Sequence, residues 1–132
     1  MDFIVVTNNE SVRRRYADLN LIFVDGNDRD VMTSVRDLVH KGHSLLTHPL
    51  SGSLKPGEQP FRSILVSAEA GSALDTFSLE LIESCLAALK KFRIRYEGLS
   101  ESKLADFREV DLSLIDSAMP KAMADRASGR FK

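Results

Sequence analysis

Four short apolar runs punctuate the chain, and helical spacing fills most of the intervals between them. Phe3-Ile4-Val5-Val6 is apolar throughout and β-branched at its last three positions, which suits a strand covered on both faces. Polar Thr7-Asn8-Asn9 ends it, and either asparagine can cap a following helix by accepting from the free N–H groups of its first turn. Val12, Tyr16 and Leu19 then recur at helical spacing. Leu21-Ile22-Phe23-Val24 is the second run, closed by Asp25-Gly26-Asn27, residues that tolerate the backbone of a tight turn. A second helix starts at Asp28 or Asp30 and sets Val31, Val35, Leu38 and Val39 on one face. Gly42 stops it, with His40 and Lys41 at its negative end. Leu45-Leu46 centres a third strand, and Phe61 to Val66 forms a fourth.

From Asp75 or Thr76 a long helix carries Phe77, Leu81, Cys85, Leu89 and Phe92 in a stripe, widened by Ile82 and Leu86. Phe92-Arg93-Ile94-Arg95-Tyr96 also alternates as a strand does. Tyr96 extends the stripe and no turn residue intervenes, which favours continued helix. Leu104, Phe107, Val110, Leu112, Ile115 and Met119 support one or two further short helical pieces. The resulting order predicts a single-domain α/β fold: a mainly parallel four-stranded sheet flanked by helices, with a Rossmann-like βαβ start and a helical C-terminal extension. Residues 1–119 make the domain, and 120–132 form a small, polar tail expected to be flexible.

A chain of 132 residues, 43% hydrophobic and 28% charged, suits one ordinary soluble domain. Eighteen basic and nineteen acidic residues leave a net charge of -1, which argues against a nucleic-acid partner. Arg13-Arg14-Arg15 and the group Lys90, Lys91, Arg93 and Arg95 read as solvated helix faces. The single cysteine, Cys85, excludes an intrachain disulfide, and its place in an apolar stripe predicts a buried, unreactive thiol. The leading apolar run is too short for export or for spanning a membrane, so a cytoplasmic, membrane-free protein is expected. No cofactor is expected.

The stretch from Thr47 to Gly57 crowds His48, Ser51, Gly52, Ser53 and Lys55 into one connection. Parallel sheets bind ligands beyond the carboxyl ends of their strands. Three polar tips are therefore expected to meet there: Thr7-Asn8-Asn9, Asp25-Gly26-Asn27 and the loop from Thr47 to Lys55. Ser51, Gly52, Ser53 and Lys55 would cradle a phosphate or carboxylate, with Thr7, Asn8, Asn9 and Gly26 adding hydrogen bonds. The blander reading gives the serines only backbone partners within their own loop. His48, held extended by Pro49, suits an acid or base helped by Asp25 or a serine, though a structural histidine is the stronger reading. The nucleophile elbow and the Walker ending are both absent, and no reaction is fixed by these residues. His40, His43 and His48 lack ligand spacing, so no metal is expected.

The chain resembles the GrdX family, small proteins encoded beside glycine, sarcosine and betaine reductase components in amino-acid-fermenting anaerobes. The residues that carry the likeness are Thr7-Asn8-Asn9, Asp25-Gly26, His40-Lys41-Gly42-His43, Leu46 through Ser53 with Lys55-Pro56, and Phe61-Arg62-Ser63-Ile64-Leu65. It spans the first seventy residues well and the remainder in outline. The resemblance implies an accessory role near selenium- and thiol-dependent reductases, and brings no catalytic residues with it. Without paired cysteines this chain is not expected to carry redox equivalents. Expected partners are a small anionic ligand and reductase component proteins, with self-association left open.

Overall fold

The computed structural model describes residues 2–50 and 57–127. Three strands and four helices follow one another as β1 (Phe3–Thr7), α1 (Glu10–Arg15), β2 (Leu21–Phe23), α2 (Asp28–His40), β3 (Ser63–Ser67), α3 (Thr76–Lys90) and α4 (Glu101–Ala127). The sheet order is β2-β1-β3. β1 pairs with β2 in parallel, Val5 opposite Leu21, and with β3 antiparallel, Val5 opposite Leu65. The fold is therefore α/β with a mixed three-stranded sheet, which corrects the expectation of a mainly parallel sheet of four.

The alternation of side chains across a strand divides the interior in two. Ile4, Val6, Ile64 and Val66 face α2 and α3, where they pack with Val31, Val35, Val39, Ile82, Cys85 and Leu89. Phe3, Val5 and Leu65 face the other way, against Val12 of α1 and Ile115, Met119 and Ala122 of α4. With both faces covered, β1 and β3 bury almost every side chain, and this explains why β1 reads as an unbroken apolar run.

The expected third strand fails for a local reason. Residues 44–47 do run beside the outer edge of β3, and the bonds from Leu46 N–H to Leu65 O (2.9 Å) and from Ser67 N–H to Ser44 O (2.8 Å) form. Side chains take the remaining ladder positions. Ser44 N–H donates to Ser67 Oγ, Leu45 N–H to Ser78 Oγ, and Leu65 N–H to Thr47 Oγ1. Only an isolated antiparallel bridge between Leu45 and Val66 results. No described helix lies between this segment and β3, so the crossover a parallel entrance requires is missing and β3 returns antiparallel.

α3 stops at Lys90, short of the expected continuation to Tyr96, because Phe92–Tyr96 is drawn onto the segment before β3. Arg95 N–H donates to Gly57 O (2.7 Å), and Tyr96 reaches back to Asp28. Gly57 adopts φ +88, and a Cβ there would lie 2.3 Å from Arg93 O, so only glycine fits this crossing. The short pieces predicted after Leu104 are a single helix, α4, which continues through Pro120 to Ala127.

Candidate functional site

Thr7, Asn8 and Asn9 end β1 inside the protein, with Asn8 only 7% exposed. Buried polar atoms need partners, and these find theirs in the protein. Asn8 Nδ2 donates to the carbonyls of Gly26 (3.0 Å) and Pro60 (2.9 Å), while its Oδ1 accepts from Arg62 N–H (2.9 Å). Asn9 caps α1 by accepting from Ser11 N–H, and its Nδ2 donates to Arg108 O and to Asp111 Oδ2 (3.0 Å). Thr7 Oγ1 accepts from Asn9 N–H and shares a 2.7 Å hydrogen bond with Ser63 Oγ. These three residues thus lash the β2 turn, the segment before β3, and α4 to the end of β1.

The hub places Arg62 deep in the structure, its side chain only 12% exposed. One guanidinium nitrogen, Nη1, donates to Pro49 O (2.9 Å). Nη2 lies 4.0 Å from Asp28 Oδ2, the outer limit of an ion pair, although Asp28 is fully buried. Arg62 Nε and Asp28 Oδ2 have no hydrogen-bond partner. Asp28 sits in the first turn of α2, where the helix dipole favours negative charge. Asn27 takes the capping role by a reciprocal bond with Asp30, which leaves the Asp28 carboxylate free to turn inward. Tyr96 Oη donates to Asp28 Oδ1 (2.7 Å), and burial together with this bond pushes the phenol well above its ordinary value. Burial pulls the Arg62 guanidinium below its usual value against the opposing pull of Asp28 and Asp111, yet a guanidinium keeps its proton.

Beside Arg62 is a cavity of about 40 Å³ lined by Thr47, Pro49, Leu50, Gln59, Ser63, Asp111 and the apolar flank of α4 at Leu114, Ile115 and Ala118. Asp111 is 5% exposed, and its Oδ2 accepts from both Asn9 Nδ2 and Ser63 Oγ (2.7 Å). Burial raises its carboxyl above the ordinary value, opposed by those two hydrogen bonds and by the Arg62 charge. Gln59 fixes the approach: Nε2 donates to Phe107 O and Oε1 accepts from Phe61 N–H. A larger groove, about 290 Å³, runs between Leu45–Thr47 and the Lys121 side of α4, but no buried unpartnered polar atom faces it. The chemistry concentrates at Arg62. Arg62 lines this half-polar cavity, with Nη1 donating to Pro49 O and Nε buried beside it, and a guanidinium is the side chain suited to donate paired N–H groups to a planar or tetrahedral anion.

A family model described as GrdX-like protein matches residues 4–120. The chain belongs to the GrdX-like protein family. The match runs well past the first seventy residues, through β3, α3 and most of α4. No curated protein and no solved structure matches the chain.

In this GrdX-like chain Asn8 of the first polar tip is bonded to Gly26 of the second, while Thr47, at the base of the third, accepts from Leu65 N–H and lines the same cavity as Ser63. Ser51, Gly52, Ser53 and Lys55 lie outside the described residues. His48 is exposed and its Nδ1 accepts from Leu50 N–H, while Asp25 is exposed on the β2 turn with no bond between the two. His43 bonds Ser67 O and His40 pairs with Glu83, so each histidine serves a local contact. Among the described residues no group of three His, Cys, Asp or Glu is placed to hold a metal. No described helix is long and apolar enough to cross a membrane.

The sequence pattern marks Asp28 as a helix start, Tyr96 as part of a stripe and Arg62 within the family likeness, but none of these, nor Asp111, as a site residue. Asp111 did leave a signal: it interrupts the apolar spacing Phe107, Ile115, Met119 at a position that faces the sheet, where a lone carboxylate is out of place. Arg62 stands immediately before an apolar strand, which is a weaker hint. Nothing local marks Tyr96 as the partner of a residue 68 positions away.

Proposed function

We propose that this GrdX-like protein is an accessory component of glycine, sarcosine or betaine reductase systems that binds a small carboxylate or phosphate at the Arg62 cavity. The accessory role rests on family membership, and the ligand on one observation: a guanidinium 12% exposed whose Nε has no partner and whose nearest carboxylate is 4.0 Å away. Leaving such a group unpaired costs roughly 1–3 kcal/mol or more, and an arriving anion recovers that cost. The loop carrying Ser51, Gly52, Ser53 and Lys55 departs after Leu50, which lines the cavity, and rejoins at Gly57, so its hydroxyls and Lys55 are the proposed remaining ligand groups. Thr7, Asn8, Asn9 and Gly26 hold the site's frame.

The two alternatives have weaker support. An acid–base role for His48 lacks a partner for the imidazole beyond Leu50 N–H. Assembly through the apolar face of the C-terminal helix meets the difficulty that Leu112, Ile115, Met119 and Ala122 already pack on the sheet. The test is ligand-induced thermal stabilisation by acetate and inorganic phosphate. At about 100 times Kd a ligand adds roughly 2.7 kcal/mol, several degrees in melting temperature. Arg62→Lys keeps the charge but loses the fork, and should lose the shift while remaining folded. Equal shifts in the wild type and Arg62→Lys would overturn the assignment.

A further inference from the structure

Helix α3 is apolar on more than its buried side. Inward, Ile82, Cys85 and Leu89 join the core. Outward it carries Phe77, 72% exposed, with Leu74 just ahead of the helix at 48% and Phe92 just beyond it at 47%. Between these two apolar ends the outward residues recur at alternating steps of three and four: Phe77, Glu80, Ser84, Ala87 and Lys91. That is the spacing of a seam along which a second helix can lie. Ser84 and Ala87 at its middle are small enough for the two helix axes to approach closely.

The charges on this face are sorted by end. Glu80 and Glu83 occupy the first half of the helix, and Lys90 and Lys91 its last turn and cap. A parallel copy would set like charges together, whereas an antiparallel copy sets opposite ones together. With a two-fold axis passing between Ser84 and Ala87, Glu80 faces the Lys91 of the second copy, and the symmetry repeats the pair at the other end. On one flank Glu83 then faces Lys90. On the other, Leu81 faces Ala88 and Phe77 faces Phe92. All these pairings share one register to within about 3 Å along the axis. Glu83 also has His40 of its own chain at 3.6 Å, so the central pair of Glu80 and Lys91 is the cleaner probe.

We propose that this face docks a second copy of the chain, α3 against α3 in an antiparallel two-fold pair. The apolar ends supply the contact, and the order of charges selects the antiparallel arrangement. A seam of fifteen residues is only about 22 Å long, so the pair is small and reversible rather than obligate. α3 contributes none of the described residues that line the Arg62 cavity, which separates pairing from ligand binding.

The test is sedimentation equilibrium of the full chain at low ionic strength, from about 10 µM to about 1 mM, the range suited to a small interface. The wild type should rise with concentration from 14.7 kDa toward twice that mass. Glu80→Lys and Lys91→Glu each oppose like charges twice in the pair, and each should weaken pairing at least roughly tenfold. Mixed in equal amounts, the two variants should recover it, because every facing pair is then opposite in charge. Phe77→Ser should weaken pairing while leaving the circular dichroism spectrum unchanged, since Phe77 is largely exposed in the monomer. Should one reversal fail to fold, the other and Phe77→Ser still decide. A mass of 14.7 kDa at every concentration would overturn the proposal and leave the face to a different protein. A dimer indifferent to both charge reversals would place the contact elsewhere and overturn it equally.

Discussion

Asn8→Ala removes the side chain that closes the frame of the site. Three hydrogen bonds go with it: those to Gly26 O at 3.0 Å and Pro60 O at 2.9 Å, and the one accepted from Arg62 N–H at 2.9 Å. At roughly 1 kcal/mol each these amount to about 3 kcal/mol, and the buried groups left unpaired add more, so a loss of about 3–5 kcal/mol is expected. That is a large share of the 5–15 kcal/mol typical of a domain, about 2 M in urea midpoint at an m of about 2 kcal/mol/M. Asn8→Asp sharpens the test, since it keeps the acceptor for Arg62 N–H but aims an oxygen at two carbonyls. It should be at least as damaging at neutral pH, and recover as acidification protonates it. The assay is equilibrium urea unfolding followed by circular dichroism. A variant Asn8→Ala within about 1 kcal/mol of the wild type would refute the structural role and return Asn8 to the ligand.

Tyr96→Phe takes away a hydrogen bond to a fully buried carboxylate whose ion-pair contact among the described residues, Arg62, is 4.0 Å distant, and should cost about 1.5–3 kcal/mol in the same assay. Gly57→Ala should destabilise by more than about 1 kcal/mol, because φ is +88 and the added methyl meets Arg93 O at 2.3 Å; a neutral result would show that the crossing relaxes freely. The Asp111 carboxyl is held above its ordinary value of 3.8, so its ionisation opposes folding. The penalty is present above the raised folded value and is relieved as pH falls toward 3.8. Relative to Asp111→Asn, the wild type should therefore gain stability on acidification through that window, and a parallel pair of stability curves would contradict the assigned cause.

Much of the scaffold was legible because its signals are local. The apolar runs at Phe3–Val6 and Leu21–Phe23, the cap at Asn9 and the stripe through Ile82, Cys85 and Leu89 each depend on neighbours within a few residues. Cys85 is buried among that stripe, as its spacing predicted, and burial pushes its thiol up. Strand direction was not legible, since a leucine pair reads alike whether it joins a ladder or meets one as a single bridge. Side-chain hydroxyls of Thr47, Ser67 and Ser78 decide that, and they come from distant positions. The site was half legible for a similar reason. Polar residues ending β1 pointed to its place, but Asn8 and Asn9 use their hydrogen bonds within the protein. The groups left over, Arg62, Asp28 and Asp111, converge only once α2, β3 and α4 are assembled.

The central claim is that the Arg62 guanidinium edge receives an anion. Its Nε–H can be followed by heteronuclear NMR while acetate and glycine are titrated into the protein. The account predicts a saturable downfield movement of that one side-chain resonance, absent in Arg62→Lys, with amides of Ser63 and Asp111 shifting in step. A resonance that stays fixed at ligand concentrations that saturate binding elsewhere on the protein would contradict it.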